Sequence, residues 1–388
     1  MNNPYENQDF DPEITIKDCE KKIQENPQDT GSYFVLGNIL TLEKKYSESI
    51  EIYKKLLEIE PENTDALVSL GSLLFLIGEL SESEKTLNKA AKIEPDNSLV
   101  FLNLAGLFAK KHNYTNAIIN YKKAIKIDPK NPEIYSGLGI IFQELQKYED
   151  AIDSYKKAIK INPKNPEYFI NLASVYEETY ELDKAINNYL TAVNLNKNDY
   201  KSLVCIANSY SELKKFEEAF SYYEKAIDIA PNYYKIFLCY GISKSESGKT
   251  AEAINYYKEA IILNPNDIKT YIILANTLAE ENHYEEAIKN YEKAIEIDNK
   301  STIAHLALGN TLTLTNDLEN AINHYRIALK LEPENQEINL LYAEAIEEYT
   351  KNAIKHLDEA DNEQRQENEN TSSEIPLKTN NQEEEQDT

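Results

Sequence analysis

The residues of this chain able to do covalent or metal chemistry are few and scattered. Its five histidines are His112, His283, His305, His324 and His356. None stands at metal-ligand spacing from another histidine or from Cys19, Cys205 or Cys239. Three cysteines are also too few for a disulfide scaffold, and buried or half-buried thiols are the expectation. The acidic pairs Glu217-Glu218 and Glu285-Glu286 fall at predicted helix starts, where carboxylates favour the helix dipole. No glycine-rich phosphate loop, G-x-S-x-G elbow or H-E-x-x-H helix occurs. The sequence therefore predicts no catalytic residues, no metal and no cofactor. The remaining chemistry is the hydrogen bonding of asparagine amides and the charge of a few lysines. Both gain meaning only from the elements that carry them.

Those elements belong to a chain of 388 residues, 41% hydrophobic, with only 10 glycines. That composition supports a sizeable core and argues against turn-dense β architectures. The net charge of −26 disfavours nucleic acid and anionic membrane surfaces as partners. No secretory signal and no run of about 18 apolar residues is visible, so membrane insertion is not expected and a cytoplasmic location is.

The organisation lies in the prolines. Pro27, Pro61, Pro95, Pro129 and Pro163 stand 34 residues apart; the series passes Lys197, resumes at Pro231 and Pro265, passes Asn299 and ends at Pro333. Units that start three residues after each proline begin at Thr30, Thr64, Ser98, Pro132, Pro166, Tyr200, Tyr234, Ile268 and Thr302. Residue 4 of the unit is mostly aromatic or leucine (Tyr33, Leu67, Phe101, Tyr135). Residues 7 and 8 read Leu36-Gly37, Leu70-Gly71, Leu104-Ala105 and so on. Residue 20 is small (Ala117, Ala151, Ala219), residue 24 is usually tyrosine (Tyr53, Tyr121, Tyr155) and residue 27 is alanine (Ala90, Ala124). Residues 4, 7, 8 and 11 share one helical face, as do 20, 24 and 27. Between the halves stand Gly78, His112, Gly248, Asn282 or Asn316, types that tolerate a left-handed turn. Each unit is thus expected to be two antiparallel helices, closed by its proline. The small residues should allow close approach of the helices, and the aromatics should fill the space between neighbouring units.

This pattern resembles that of the tetratricopeptide repeat family, W-x2-L-G-x2-Y, then A-x3-F, then P. The resemblance implies an all-α fold: a right-handed superhelical solenoid of nine 34-residue helix-turn-helix repeats over residues 30–335. Residues 14–29 are expected to form an N-terminal capping helix and residues 336–360 a C-terminal one. Residues 1–13 and 361–388, both acidic and poor in apolar types, are expected to be disordered. Missing prolines at Lys197 and Asn299, and Lys244 at an apolar position, predict local loosening.

The resemblance also implies a concave groove, lined by the first helices, that takes a protein or peptide ligand. Residues 2, 5, 6, 9, 12 and 13 of each unit should face it. Residue 5 forms a nearly continuous apolar line from Phe34 to Leu306, interrupted by Ser136. Residue 9 is Asn38, Asn208, Asn276 or Asn310 in four units, and residue 6 is Asn103 or Asn171 in two. An amide both donates and accepts, so such a row suits the backbone of an extended peptide. Residue 2 is Lys201, Lys235 and Lys269 in three consecutive units, which would favour acidic segments; residue 13 is Glu144, Glu178, Glu212, Glu246 and Glu280. Residue 5 is never basic, so the clamp by which some members hold a chaperone's C-terminal carboxylate is not expected. The predicted role is a non-catalytic protein-interaction scaffold. Two alternatives stand beside it: a substrate-recruiting arm for an enzyme on another chain, such as a protein glycosyltransferase, and a self-associating structural protein.

Overall fold

The computed structural model describes residues 11–373, and among them all regular structure is helical, in twenty helices. The chain divides into two compact units that meet between Leu213 and Lys214. In the first unit, α1 (Pro12–Glu25) precedes five helix pairs: α2/α3 (Thr30–Leu42, Tyr46–Ile59), α4/α5 (Thr64–Leu76, Leu80–Ile93), α6/α7 (Ser98–Lys110, Tyr114–Ile127), α8/α9 (Pro132–Glu144, Tyr148–Ile161) and α10/α11 (Pro166–Glu178, Leu182–Leu195). The unit ends with α12 (Tyr200–Glu212). The second unit holds α13 (Phe216–Ile229) and three pairs: α14/α15 (Tyr234–Glu246, Thr250–Leu263), α16/α17 (Ile268–Glu280, Tyr284–Ile297) and α18/α19 (Thr302–Leu314, Leu318–Leu331). Its last element is α20 (Gln336–Ser373).

Local chemistry sets these boundaries. Most first helices start behind an Asp, Asn or Ser whose side chain accepts a backbone N–H of the first turn, as Asp29 does from Ser32 and Asn63 from Ala66. Pro132 and Pro166 occupy the first helical position, where no N–H is needed. First helices end in a left-handed residue with two reversed hydrogen bonds. At the end of α2, Lys44 has φ 60°, its N–H donates to Thr41, and Lys45 N–H donates to Leu40. Gly78 and Gly248 adopt this conformation freely; Lys44, His112, Gln146, Tyr180, Lys214, Asn282 and Asn316 adopt it at φ between 55° and 63°. The second helices α11 and α17 end where the others do, 14 residues long, although Lys197 and Asn299 replace the proline. The missing proline does not change where these helices end.

The core of each pair is a close approach. A Cβ added to Gly37 would lie 2.7 Å from the Tyr53 ring, and one added to Gly241 would lie 2.5 Å from the Tyr257 ring. Residue 24 therefore lies over residue 8 of its own pair. Tyr121 also reaches the next pair, where its hydroxyl would meet a Cβ on Gly137 at 2.4 Å. Ring 24, expected to fill the space between neighbouring units, thus packs within its own pair as well. Lys244, at an apolar position, is buried with partners. It is 7% exposed, and its Nζ lies 2.7 Å from Glu252 Oε2 and 3.9 Å from the Phe220 ring centroid.

Two boundaries differ from those expected. Helix α1 starts at Pro12, capped by Asp11, and residues 1–10 lie outside the described residues. Helix α20 does not stop at Ala360 but continues to Ser373, over residues expected to be disordered; residues 374–388 lie outside the described residues.

Candidate functional site

Within the first unit, consecutive first helices touch: α2 with α4, α4 with α6, α6 with α8, α8 with α10. Their free faces thus form one wall, and polar side chains cross it. Ser72 Oγ on α4 donates to Asn103 Oδ1 on α6 at 2.8 Å, and Asn103 Nδ2 donates to Leu99 O at 2.8 Å. Gln143 Nε2 on α8 donates to Ser174 Oγ (3.2 Å) and Glu178 Oε1 (2.5 Å) on α10. Ser209 Oγ on α12 donates to Glu177 Oε1 at 3.1 Å. Asn103 is therefore engaged on both amide atoms within the fold. Asn171 on α10 is half-buried and has no side-chain hydrogen bond to a described residue. Asn208 is half-buried on α12, and Lys201 is exposed at its start.

The tyrosines at residue 24 explain the asparagines at residue 9. Tyr53 Oη donates to Asn38 Oδ1 at 2.8 Å; Tyr291 donates to Asn276 at 2.6 Å and Tyr325 to Asn310 at 2.8 Å. Burial pushes the Tyr291 phenol up to about 12, so the hydroxyl keeps its proton and remains a donor. Where residue 9 is not an amide, the hydroxyl turns to residue 12: Tyr155 donates to Gln143 Oε1 (3.2 Å) and Tyr189 to Glu177 Oε2 (2.7 Å). Burial raises the Glu177 carboxyl above its usual range, aided by the charges of Glu212 and Glu178 and opposed by the bonds from Tyr189 and Ser209. The sequence pattern missed this partnership and the place of Gln143 and Glu177 in it. The signal was an acceptor at residue 9 or 12 in units with tyrosine at 24.

In the second unit, α16 touches α18. Asn276 and Asn310 are exposed on these helices, and Lys235 and Lys269 are exposed at the starts of α14 and α16. Neither lysine has an ion pair among the described residues. Both act on the Cys239 thiol, whose burial raises its pKa while their charges oppose the rise. Residue 5 is half-buried in most first helices, and fully buried at Ser136 and Leu238. Along residue 13, Leu42, Leu76 and Leu314 are half or more exposed. That edge of the face is therefore apolar in some pairs and acidic at Glu144, Glu178, Glu212, Glu246 and Glu280. Among the described residues no group of three or more His, Cys, Asp or Glu is placed to hold a metal ion, and no helix is long and apolar enough to cross a membrane.

Stacked helix pairs with a small residue under a ring, and a polar face along the first helices, define an α-helical repeat protein. Family models described as tetratricopeptide or TPR repeat match residues 40–105, 107–146, 141–179, 166–199, 200–233, 240–267, 256–289, 275–314 and 304–337. The chain belongs to the tetratricopeptide repeat family. No curated protein sequence matches it. Among solved structures, it is similar to a tetratricopeptide repeat protein from Parabacteroides merdae: 21% identity, TM-score 0.50, covering 64% of this chain and 98% of that one. It is likewise similar to the C-terminal part of a TPR repeat-containing protein from Cytophaga hutchinsonii: 21% identity, TM-score 0.51, 62% of this chain and 98% of that one. A third, YrrB, is described as a TPR protein with an unusual peptide-binding site; it is 21% identical, with TM-score 0.42 over 50% of this chain and 97% of YrrB. The family and the fold support a protein-interaction role for this chain.

Proposed function

We propose that the chain is a non-catalytic scaffold that holds a peptide or helical segment of a partner protein along the faces of its first helices. One observation carries the reading. Asn38, Asn276 and Asn310 each accept a tyrosine hydroxyl at Oδ1, which fixes the amide plane and leaves Nδ2 free to donate. An amide held in place loses little freedom when it binds a ligand's backbone carbonyl. Lys235 and Lys269, exposed and without ion pairs among the described residues, add a preference for acidic side chains on the ligand.

The test is selection from a displayed random-peptide library on the full chain, followed by calorimetry of the enriched peptides. Acidic peptides are expected, with binding weakened about tenfold or more by Asn276→Leu with Asn310→Leu, as for loss of two hydrogen bonds. Lys235→Glu with Lys269→Glu should shift the selected sequences away from acidic residues. Enriched peptides that bind all variants as well as the unaltered chain would remove these residues from the site.

A further inference from the structure

The net charge of −26 hides a local reversal of sign on the second helices of the first unit. Residues 26 and 29 are Lys89 and Lys92 in α5, Lys123 and Lys126 in α7, and Lys157 and Lys160 in α9. These positions lie on the opposite side of each helix from the buried residues 20, 24 and 27. All six side chains are exposed, and none has an ion pair among the described residues. Lys123 also lies over the Phe101 ring at 5.2 Å. Helix α6 packs between α5 and α7, and α8 between α7 and α9, so the three second helices follow one another along one side of the unit. The doubled lysines are confined to this stretch. Residue 29 of α3 is Glu58, and α11 carries Thr191 and Asn194. In α17 the same two positions hold Lys293 and Glu296, which pair with each other at 2.5 Å. Like charges three residues apart destabilise a helix, where a Lys–Glu pair supports it. The helix dipole favours lysine at residue 29, in the last turn, but not at residue 26.

We infer that this outer face of α5, α7 and α9 is the seat of a short acidic segment of a partner protein, one that also carries apolar side chains. Sign, apolar content and extent select this occupant. The sign is that of six lysines without carboxylate partners, and lysine is a point charge that pairs with a carboxylate from many directions. The apolar content is Ile119, at residue 22 of α7, one turn before Lys123 on the same stripe and 47% exposed. A phosphodiester backbone offers nothing to that side chain; a leucine or isoleucine between acidic residues does. The one acid at residue 22 in these three helices is Asp153, which makes no ion pair among the described residues and leaves the lysines of α9 available. The extent is small. Packed helices stand about 8–10 Å apart, so three second helices with first helices between them span at least roughly 20 Å, the reach of about six extended residues. At physiological salt, charges beyond about 8 Å are screened, so a short segment meets the lysines and little of the acidic remainder. A long duplex or a membrane surface would meet both. This face is separate from the first-helix faces that carry Lys235 and Lys269.

The probe is a fluorescent peptide of repeated Glu-Leu-Glu, about twelve residues long, titrated with the full chain and read by anisotropy. Binding should weaken about tenfold or more between roughly 50 and 200 mM salt. It should weaken as much when Lys123, Lys126, Lys157 and Lys160 are all replaced by Glu, and by less when all four are replaced by Gln. The glutamine variant adds no negative charge, and its melting curve should match that of the unaltered chain, since the four side chains are exposed. Lys235→Glu with Lys269→Glu should leave this binding unchanged. A peptide with Ser for each Leu should bind more weakly, and Ile119→Ser should remove the difference between the two peptides. A probe that does not bind, or that binds both lysine variants as well as the unaltered chain, overturns the inference. Binding lost only in the Lys235 and Lys269 variant assigns the peptide to the first-helix faces and overturns it too. Equal binding of the Leu and Ser peptides, or tighter binding of a DNA duplex of about twelve base pairs, overturns the apolar acidic segment as the occupant.

Discussion

The pairs α14/α15 and α18/α19 are each built of a 13-residue and a 14-residue helix and differ in what fills residue 11. In α18 it is Leu312, 7% exposed in an apolar cluster with Leu308, 1% exposed, and Tyr325. In α14 it is Lys244, equally buried, with Glu252 as counter-ion and the Phe220 and Tyr240 rings against its ammonium at 3.9 and 5.2 Å. Residue 7 is also enlarged there: Tyr240 stacks on Tyr256 and Tyr223, with ring centroids 4.2 and 5.0 Å apart. Both pairs keep a glycine at residue 8 under a tyrosine at 24. The close contact of residues 8 and 24 thus defines the pair. The rest of its core accepts a charge wherever the neighbours supply a carboxylate and a ring.

The comparison can be broken by moving the charge without its neighbours. Two periods on from Glu252 and Phe220 stand Asn320 and Ile288, so Leu312→Lys would bury an ammonium with neither partner. A loss of about 3–5 kcal/mol is expected from urea unfolding, the range for an uncompensated buried charge. Adding Asn320→Glu and Ile288→Phe should recover much of it. If Leu312→Lys is neutral, the neighbours of Lys244 are not what makes it tolerable.

A smaller effect concerns the one histidine pair of these cores. His305, 3% exposed at residue 4, meets His324 with Nδ1 to Nδ1 at 3.0 Å, and its Nε2 lies 3.3 Å from Asn299 O. Two facing nitrogens hold one proton between them. Burial, then the charge of His305, keeps His324 below its usual 6.5, while Asp317 opposes the shift. The neutral form is the folded one. Its contribution is complete above the unfolded value and is lost as pH falls through the lower folded value. The melting temperature should fall from pH 7 to about pH 5, and His305→Tyr with His324→Phe should flatten that slope. The smallest effect is expected from Lys244→Leu. The substitution removes the buried ammonium and leaves Glu252, 54% exposed, to water, so stability should be unchanged or raised by about 1 kcal/mol.

Much of this architecture was legible in single residues. The proline period gave the pairs, and the small residue at 8 and tyrosine at 24 gave their contact, because both depend on residue type alone. The turn was legible at Gly78, Gly248, Asn282 and Asn316, whose types announce a left-handed residue. It was silent at Lys44, Gln146 and Tyr180, where the flanking helices impose the conformation on residues that do not prefer it. The candidate site was less legible. The asparagines stand out in the sequence, but the tyrosine hydroxyls that hold Asn38, Asn276 and Asn310 depend on reach across a pair. At Asn103 the amide turns out to be consumed by Ser72 and Leu99. The extension of α20 was hidden by its composition: charged and polar residues sustain the helix beyond Ala360.

The left-handed turns have a further consequence. A non-glycine residue at positive φ costs about 1 kcal/mol against glycine, and seven of these turns carry such a residue where Gly78 and Gly248 carry none. Neighbour-to-neighbour stacking makes stability close to a sum over pairs. The turn residues therefore act as separate adjusters of firmness along the chain. Each can be reset by one substitution to glycine, without touching a core contact or the faces of the first helices.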